Sequence, residues 1–506
     1  MIESPVMTRV RKGRCVVLGF GVSNRPLVPW LLSHGAQTVT VRDKRTRDSL
    51  TPDEVRILEA PGVTYVGGDA YMEGLAAEGP DAVIFRSPGI RPDQASIAAA
   101  VAAGGSLTSE MELFLELTPA ALLGVTGSDG KTTTTTVTSL LVSAFLAERG
   151  RGRMYLGGNI GTPLLPLVDE MTADDVAVLE LSSFQLMTMK KSPECAAVTN
   201  LSPNHLNWHI DMAEYLTAKT NIYTHEPCRS VVLNAGNDYT RRAGLDLPRS
   251  IPVTWFSSSG TSWEEVVPAG RRETGCPDSA VFLRDGFIVY QPATDAESVP
   301  LLDTRRIRVP GLHNKENFMT ALALSMGVMD TEALIRAAGR VADGFNGVPH
   351  RLELVREWNG IRFYNSSIDS SPSRTCAALS AMEDLNAQRA ETEGVVPPKP
   401  IVICGGQDKH VPFDPLAAAL CRQAKAVILT GEARDQILSA LERCRDYDAQ
   451  RLPVTVIPDW TEAMTSACRL AVPGDVVLLS PACTSFDAFK NFEARGECFR
   501  TIVNSL

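Results

Sequence analysis

The densest chemistry in the sequence lies at 124–133, Gly-Val-Thr-Gly-Ser-Asp-Gly-Lys-Thr-Thr. The apolar run ALLGVT leads into it and a Thr-rich helical run leaves it. A strand–loop–helix of this kind aims several backbone amides and a helix dipole at one point, which favours a phosphate. Gly127, Ser128, Asp129 and Gly130 would wrap the polyphosphate, and Lys131 would reach its terminal groups as a point charge. The Thr132 hydroxyl would ligate Mg²⁺, with Thr133 beside it in the opening turn. The spacing departs from the usual phosphate loop: Val125 stands at the first glycine position, and glycines fall at 124 and 127 instead.

A second glycine loop, Gly19-Phe20-Gly21-Val22-Ser23-Asn24, follows the run CVVLG, and Asp43 ends the next strand-like run. Asn24 occupies the third glycine slot of a dinucleotide fingerprint. The loop is therefore open to a dinucleotide, to another nucleotide, or to a purely structural turn. Glu180 ends the run VAVLE, at the carboxyl end of a strand, where α/β sheets hold ligands. His205 and His209 have the i,i+4 spacing of a zinc pair, but the glutamate of an HExxH site is missing; packed or capping histidines fit as well. Lys219, in AEYLTAKTNIY, reads from its neighbours alone as a solvated helix lysine.

These residues need a scaffold of several cores. At 506 residues the chain exceeds one core, and ~150 residues per domain gives about three. Hydrophobic residues make up 44% and mean hydropathy is -0.02, which excludes a mainly disordered chain. A net charge of -10 argues against a broad nucleic-acid face while leaving room for a local phosphate pocket. No apolar run approaches the ~20 residues of a bilayer span, and the opening segment reads as a strand, not a signal peptide, so no membrane insertion is expected. Eleven scattered cysteines without a CxxC fit reduced thiols in a cytoplasmic protein. Short β-branched runs alternate with helix-length segments from end to end, the pattern of parallel α/β sheets. They form three groups, at 1–113, 114–346 and 347–506. The stretch 257–300 reads as an irregular excursion carrying a hairpin around Asp285-Gly286.

The form GxTGxxGKT, with LELSSFQL at 179–186, NLSPNHLNWH at 200–209 and SPACTSFDAFKNFEARG at 480–496, resembles the Mur ligase family. The resemblance runs from about residue 14 to 503. It implies an α/β fold of three domains: a Rossmann-like N-terminal domain for a UDP-linked substrate, a central P-loop ATPase-like domain with a mainly parallel sheet, and a Rossmann-like C-terminal domain for an amino acid. It implies an ATP-dependent amide ligase of peptidoglycan precursor synthesis, a monomer, using ATP and Mg²⁺ to join UDP-N-acetylmuramoyl-L-alanine to D-glutamate. A non-catalytic or altered-specificity nucleotide-binding member is the alternative.

Residue by residue, the resemblance places Glu180, His205, Thr132 and a carbamylated Lys219 at metal, with Lys131 on phosphates. Asn314, Asn317 and Arg351 fall on ATP. Val22, Ser23, Asp43 and Lys44, with Ser87 and Gly89 of the turn SPGI, fall on the uridine moiety; Asn159 and His205 also meet that substrate. Ser370, Lys409, Ser485 and Phe492 fall on the D-glutamate carboxylates, Phe492 by its amide. The segment 361–375 departs from the family form NDSKATN: Ser366 replaces an aspartate at the ATP ribose and Ile368 a lysine near the γ-phosphate. Losing that cation weakens stabilisation of the transferred phosphoryl group by a few kcal/mol. Arg374, on the following helix, is the nearest cation able to substitute.

Overall fold

The computed structural model describes residues 4–272, 277–393, 399–408 and 411–506. The chain divides into two compact units: one runs to Asp303 and takes in Glu316–Val341, and the other comprises Thr304–Lys315 and Ala342–Leu506. The first unit holds two sheets and the second holds one.

The N-terminal sheet is built from five short strands in the order Val63–Gly67, Val39–Asp43, Cys15–Leu18, Val83–Arg86, Ser106–Thr108, all parallel. Cys15–Leu18 and Val83–Arg86 are buried at every position, as strands covered by helices on both faces must be. Strand order reverses between these two. The loops leaving their carboxyl ends, at 19–23 and 87–90, therefore flank the crevice that such a reversal opens.

The second sheet has nine strands. Met154–Gly158, Val176–Glu180, Ala121–Thr126, Cys195–Val198, Ser230–Asn234, Val253–Ser257 and Ser279–Arg284 run parallel in that order. Phe287–Gln291 and Val299–Asp303 then add antiparallel, and Pro300 on the outermost strand is exposed. The hairpin expected around Asp285-Gly286 is present, with both turn residues at positive φ (52° and 80°) and Arg284 opposite Phe287. The stretch 257–300 is thus irregular in its first part, where 258–272 is turns and short helical segments, while Ser279–Arg284, Phe287–Gln291 and the start of Val299–Asp303 extend the sheet. The two hairpin strands are legible in the sequence, whereas Val299–Asp303 is not, because Pro300 interrupts its apolar run. A buried knot holds the stretch: Arg271 donates to both oxygens of Asp278 (2.8 Å each) and to the carbonyls of Leu247 and Ile251, while Trp255 Nε1 donates to Asp278 Oδ2.

The sheet of the second unit is ordered Glu353–Trp358, Ile361–Asn365, Val476–Ala482, Ile401–Gly405, Ala426–Thr430, Val454–Val456. Only its first pair is antiparallel. Among the described residues no helix is long and apolar enough to cross a membrane.

Candidate active site

The strand Ala121–Thr126 ends in the phosphate loop, and the helix Lys131–Arg149 starts from it. Gly127 and Gly130 have φ of 150° and 78°. A Cβ at Gly127 would lie 1.9 Å from Thr199 Oγ1 and one at Gly130 would lie 2.3 Å from Asn317 Oδ1, so a side chain at either position would displace a neighbour of the loop as well as strain its backbone. Asp129 is held through its backbone: its amide donates to Asn200 Oδ1 (2.9 Å), and its carbonyl accepts from Thr199 Oγ1 (2.5 Å). Ser128 Oγ bonds the Tyr215 hydroxyl (2.8 Å) and the Ser202 carbonyl (3.0 Å). Lys131 Nζ folds back onto the carbonyls of Gly127 (3.0 Å) and Ser128 (2.9 Å). Thr132 and Thr133 lie in the helix's opening turn, with Thr133 buried.

Glu180 lies on the neighbouring strand, paired with Val125, and is 1% exposed. Asn159 Nδ2 donates to its Oε1 (2.7 Å), while its buried Oε2 has no partner. An orphaned buried carboxylate oxygen is costly unless a cation meets it. Directly after it, Ser182 and Gln185 form a capping box that opens the helix Ser183–Leu186 and fixes how the chain leaves the strand. Lys219, read from its neighbours as solvated, is 2% exposed on the helix Met212–Thr220. Its Nζ donates to Thr126 Oγ1 (3.1 Å), and Thr126 in turn donates to the Leu181 carbonyl (2.6 Å). Burial, then the positive charge of Lys131, holds the Lys219 pKa well below its ordinary value, against the pull of Glu180 and Asp129. The open Glu180 oxygen is the kind of hard donor that a divalent cation such as Mg²⁺ accepts.

The two histidines separate. His209 is buried, with Nδ1 on Glu214 Oε2 (3.1 Å) and Nε2 on Ser183 Oγ (2.9 Å), so both nitrogens are committed and the zinc pairing is not formed. Burial keeps its pKa below the usual value. His205 is exposed, at φ 55°, with its amide on Asn204 Oδ1 (2.9 Å). Among the described residues no three His, Cys, Asp or Glu side chains cluster closely enough to hold a metal. The set around Glu180 contributes only one carboxylate.

In the N-terminal sheet, Asn24 stands in the missing glycine slot for a visible reason. Its buried Nδ2 donates to the carbonyls of Leu18 (3.2 Å) and Gly19 (2.8 Å) and holds the turn by side chain instead of by backbone freedom. Asp43 accepts from the amides of Phe20 (2.5 Å) and Arg45 (2.8 Å) and from Arg45 Nε (3.1 Å). Burial would raise its pKa, but these donors more than offset it and leave the carboxyl below its usual value. Asp43 thus organises its own loop. Val22 and Lys44 are exposed, and Ser23 begins the helix Asn24–Ser33 without a side-chain cap. The Ser87 amide donates to the Leu18 carbonyl (2.8 Å), and Gly89 is exposed, so the 87–90 turn lies beside the 19–23 loop.

Asn314 and Asn317 are buried one turn apart on the helix Leu312–Ser325; Asn314 Nδ2 donates to the Pro310 carbonyl (2.5 Å), and Thr134 Oγ1 donates to Asn317 (3.3 Å). In the second unit, Ser366 Oγ accepts from the Leu352 amide (3.2 Å). Arg374 is exposed and donates to the Ile368 carbonyl (3.3 Å), which places its charge beside the lost lysine position. Ser485 is buried, and Phe492 opens the helix Phe492–Asn504, where an amide has no intrahelical acceptor. The amide of Ser370 donates to the Ile368 carbonyl (2.8 Å), and that of Arg351 to the Val348 carbonyl (3.0 Å). Lys409 lies outside the described residues. Sequence reasoning missed Thr126, Tyr215, Asn200 and the buried Arg495, whose guanidinium holds the carbonyls of Ser367, Cys483 and Thr484. Only the topology brings these partners together.

A phosphate loop facing a buried acidic strand end, in one of two units built on mainly parallel sheets, defines a nucleotide-using α/β enzyme. The description of the Mur ligase middle domain matches residues 125–325, and that of the Mur ligase, glutamate ligase domain matches 350–483. The chain is 40% identical over 503 residues to the UDP-N-acetylmuramoylalanine--D-glutamate ligase of Ruminiclostridium cellulolyticum, covering 98% of this chain and 97% of that protein. It is 40% identical over 508 residues, at the same coverage, to the protein of that name from Acetivibrio thermocellus. The chain belongs to the Mur ligase family. The solved structure of a UDP-N-acetylmuramoyl-L-alanyl-D-glutamate--2,6-diaminopimelate ligase shares the fold, with a TM-score of 0.53 at 17% identity, over 84% of this chain and 93% of that one.

Proposed function

We propose that the chain is the ATP-dependent ligase that joins D-glutamate to UDP-N-acetylmuramoyl-L-alanine in peptidoglycan precursor synthesis. The observation that carries this reading is the meeting of the 124–133 loop with a half-paired buried glutamate and a buried lysine, within a chain similar end to end to ligases of that name. Residues 1–113 hold the UDP-linked substrate, 114–346 hold ATP and 347–506 hold the amino acid.

The alanyl carboxylate attacks the γ-phosphorus of ATP, ADP leaves, and the acyl phosphate is taken by the D-glutamate amine with loss of phosphate. The loop amides and Lys131 hold the phosphates, and Asn317, bonded to Thr134 of the loop's helix, and Asn314 take the base. Asn159 fixes one oxygen of Glu180 and so aims the other. Thr132, Glu180, His205 and Lys219 as its carbamate would hold Mg²⁺, which would supply charge neutralisation between two anionic substrates. Carbamylation suits Lys219 because it consumes a neutral amine, and burial, then the charge of Lys131, shifts this amine toward that form. It would also add the second anionic ligand that the set lacks. Arg374 supplies the cation that Ile368 does not, and Arg351 reaches the phosphates from the third domain. Ser370, Lys409, Ser485 and the Phe492 amide receive the D-glutamate carboxylates.

The test is ADP release with UDP-N-acetylmuramoyl-L-alanine, scanned over D-glutamate, L-glutamate, L-lysine and diaminopimelate. Release with D-glutamate alone is expected. Release with none of the four would sink the proposal. Arg374→Ala should cut turnover strongly; near-normal turnover would remove it from the phosphoryl-transfer role.

A further inference from the structure

The turn at 87–90 continues into Arg91, whose guanidinium joins distant parts of the first unit. It forks onto Glu214 (Nη2 to Oε1 2.9 Å, Nη1 to Oε2 3.2 Å) and onto Asp93 (2.9 and 2.8 Å), and it also donates to the Trp208 carbonyl. Its Cζ lies 4.9 Å from the centroid of the Trp208 ring. Glu214, on the helix that carries Lys219, collects the Ile210 amide (2.9 Å) and His209 Nδ1 (3.1 Å), and His209 Nε2 reaches Ser183 Oγ just beyond the Glu180 strand. Phe184 packs within 5.0 Å of the His205 ring and 4.4 Å of the Trp208 ring.

His205 sits at the head of this arrangement in the left-handed region, where a residue with a Cβ is costly to hold. The bonds that close its turn are local, from the amides of Trp208 and His209 to its own carbonyl (2.9 Å each). The loop beyond them is fixed by the Trp208 carbonyl and by Glu214, and Arg91 touches both. We propose that Arg91, through Glu214, is a positioning residue that holds the strained His205 loop in register with the 87–90 turn. This rests on the function proposed above, in which that turn and His205 both meet the UDP-linked substrate.

Arg91→Met and Arg91→Lys would be compared by amide hydrogen exchange on the free protein and by steady-state kinetics. In Arg91→Met, exchange at 208–210 should quicken by about tenfold or more, with the 176–186 segment unchanged. Turnover should fall by about 10- to 100-fold with the ATP KM within about twofold, and Arg91→Lys should recover part of the loss. Unchanged exchange, loosening without a fall in kcat, or equal loosening of the whole unit would each overturn the inference. Should Arg91→Met not fold, Glu214→Gln removes the charge at nearly constant shape and is expected to loosen the same amides. Wild-type protein inactive with every amino acid would refute the proposed function, while the exchange result would still decide whether Arg91 holds the loop.

Discussion

Two buried ionic groups in the first unit are built on opposite terms. Around Asp278 the arrangement is closed: Arg271 meets both oxygens, Trp255 adds a third donor, and the remaining guanidinium hydrogens reach backbone carbonyls. Around Glu180 it is open: among the described residues one oxygen is held by Asn159 and the other has no partner, and the nearby Lys219 donates to a threonine hydroxyl and lies over the Tyr215 ring (5.3 Å), with no carboxylate bonded to it. Both places are equally buried, so burial of charge does not by itself mark a functional site. Incomplete pairing does, because a fold keeps a costly half-made polar site where a ligand completes it.

The sharpest break of this comparison is by substitution on either side. Glu180→Gln or Lys131→Ala should lower ADP release by on the order of 10²- to 10³-fold while leaving the melting temperature nearly unchanged. Arg271→Met should do the reverse: it strands Asp278 and costs about 3–5 kcal/mol in denaturant unfolding, with the activity of the folded fraction preserved. If Arg271→Met silenced the enzyme without destabilising it, or Glu180→Gln unfolded it, the distinction would fail.

A third buried carboxyl, Glu110, sharpens the contrast by pH. It is nearly as buried as Glu180, and among the described residues no metal-ligating cluster surrounds it; burial raises its pKa to about 7 against one bond from the Leu165 amide (3.3 Å). A raised folded pKa contributes stability that is full below the unfolded value near 4.5 and is lost as pH rises through about 7. Thermal stability should therefore decline across that window by an amount on the order of a few kcal/mol. Glu110→Gln should flatten the slope, and an equal slope in the variant would refute the assignment. The smallest effect is expected at Ser182→Ala, which removes one side of the capping box after Glu180 and should cost about 1 kcal/mol in urea unfolding.

What could be read from sequence was local. The phosphate loop, the hairpin at Asp285-Gly286 and the position of Glu180 at a strand end each follow from a few consecutive residues, and the structure places them so. The character of Lys219 could not be read, because its helix carries polar neighbours and only the packing of strand and loop around it makes it buried. Arg91 and Glu214, or Arg271 and Asp278, carry no mutual signal along the chain. Asn24 looked like a defect in a glycine pattern and proved to be a different solution to the same turn.

The nine-stranded sheet ends on Val299–Asp303, and Pro300 sits exposed on that last strand. A sheet margin is an invitation for strands of other molecules to join, and proline has no amide with which to accept it. The extension that lengthens the sheet thus also terminates it, guarding a crowded cell's worth of identical chains against zipping together along this border.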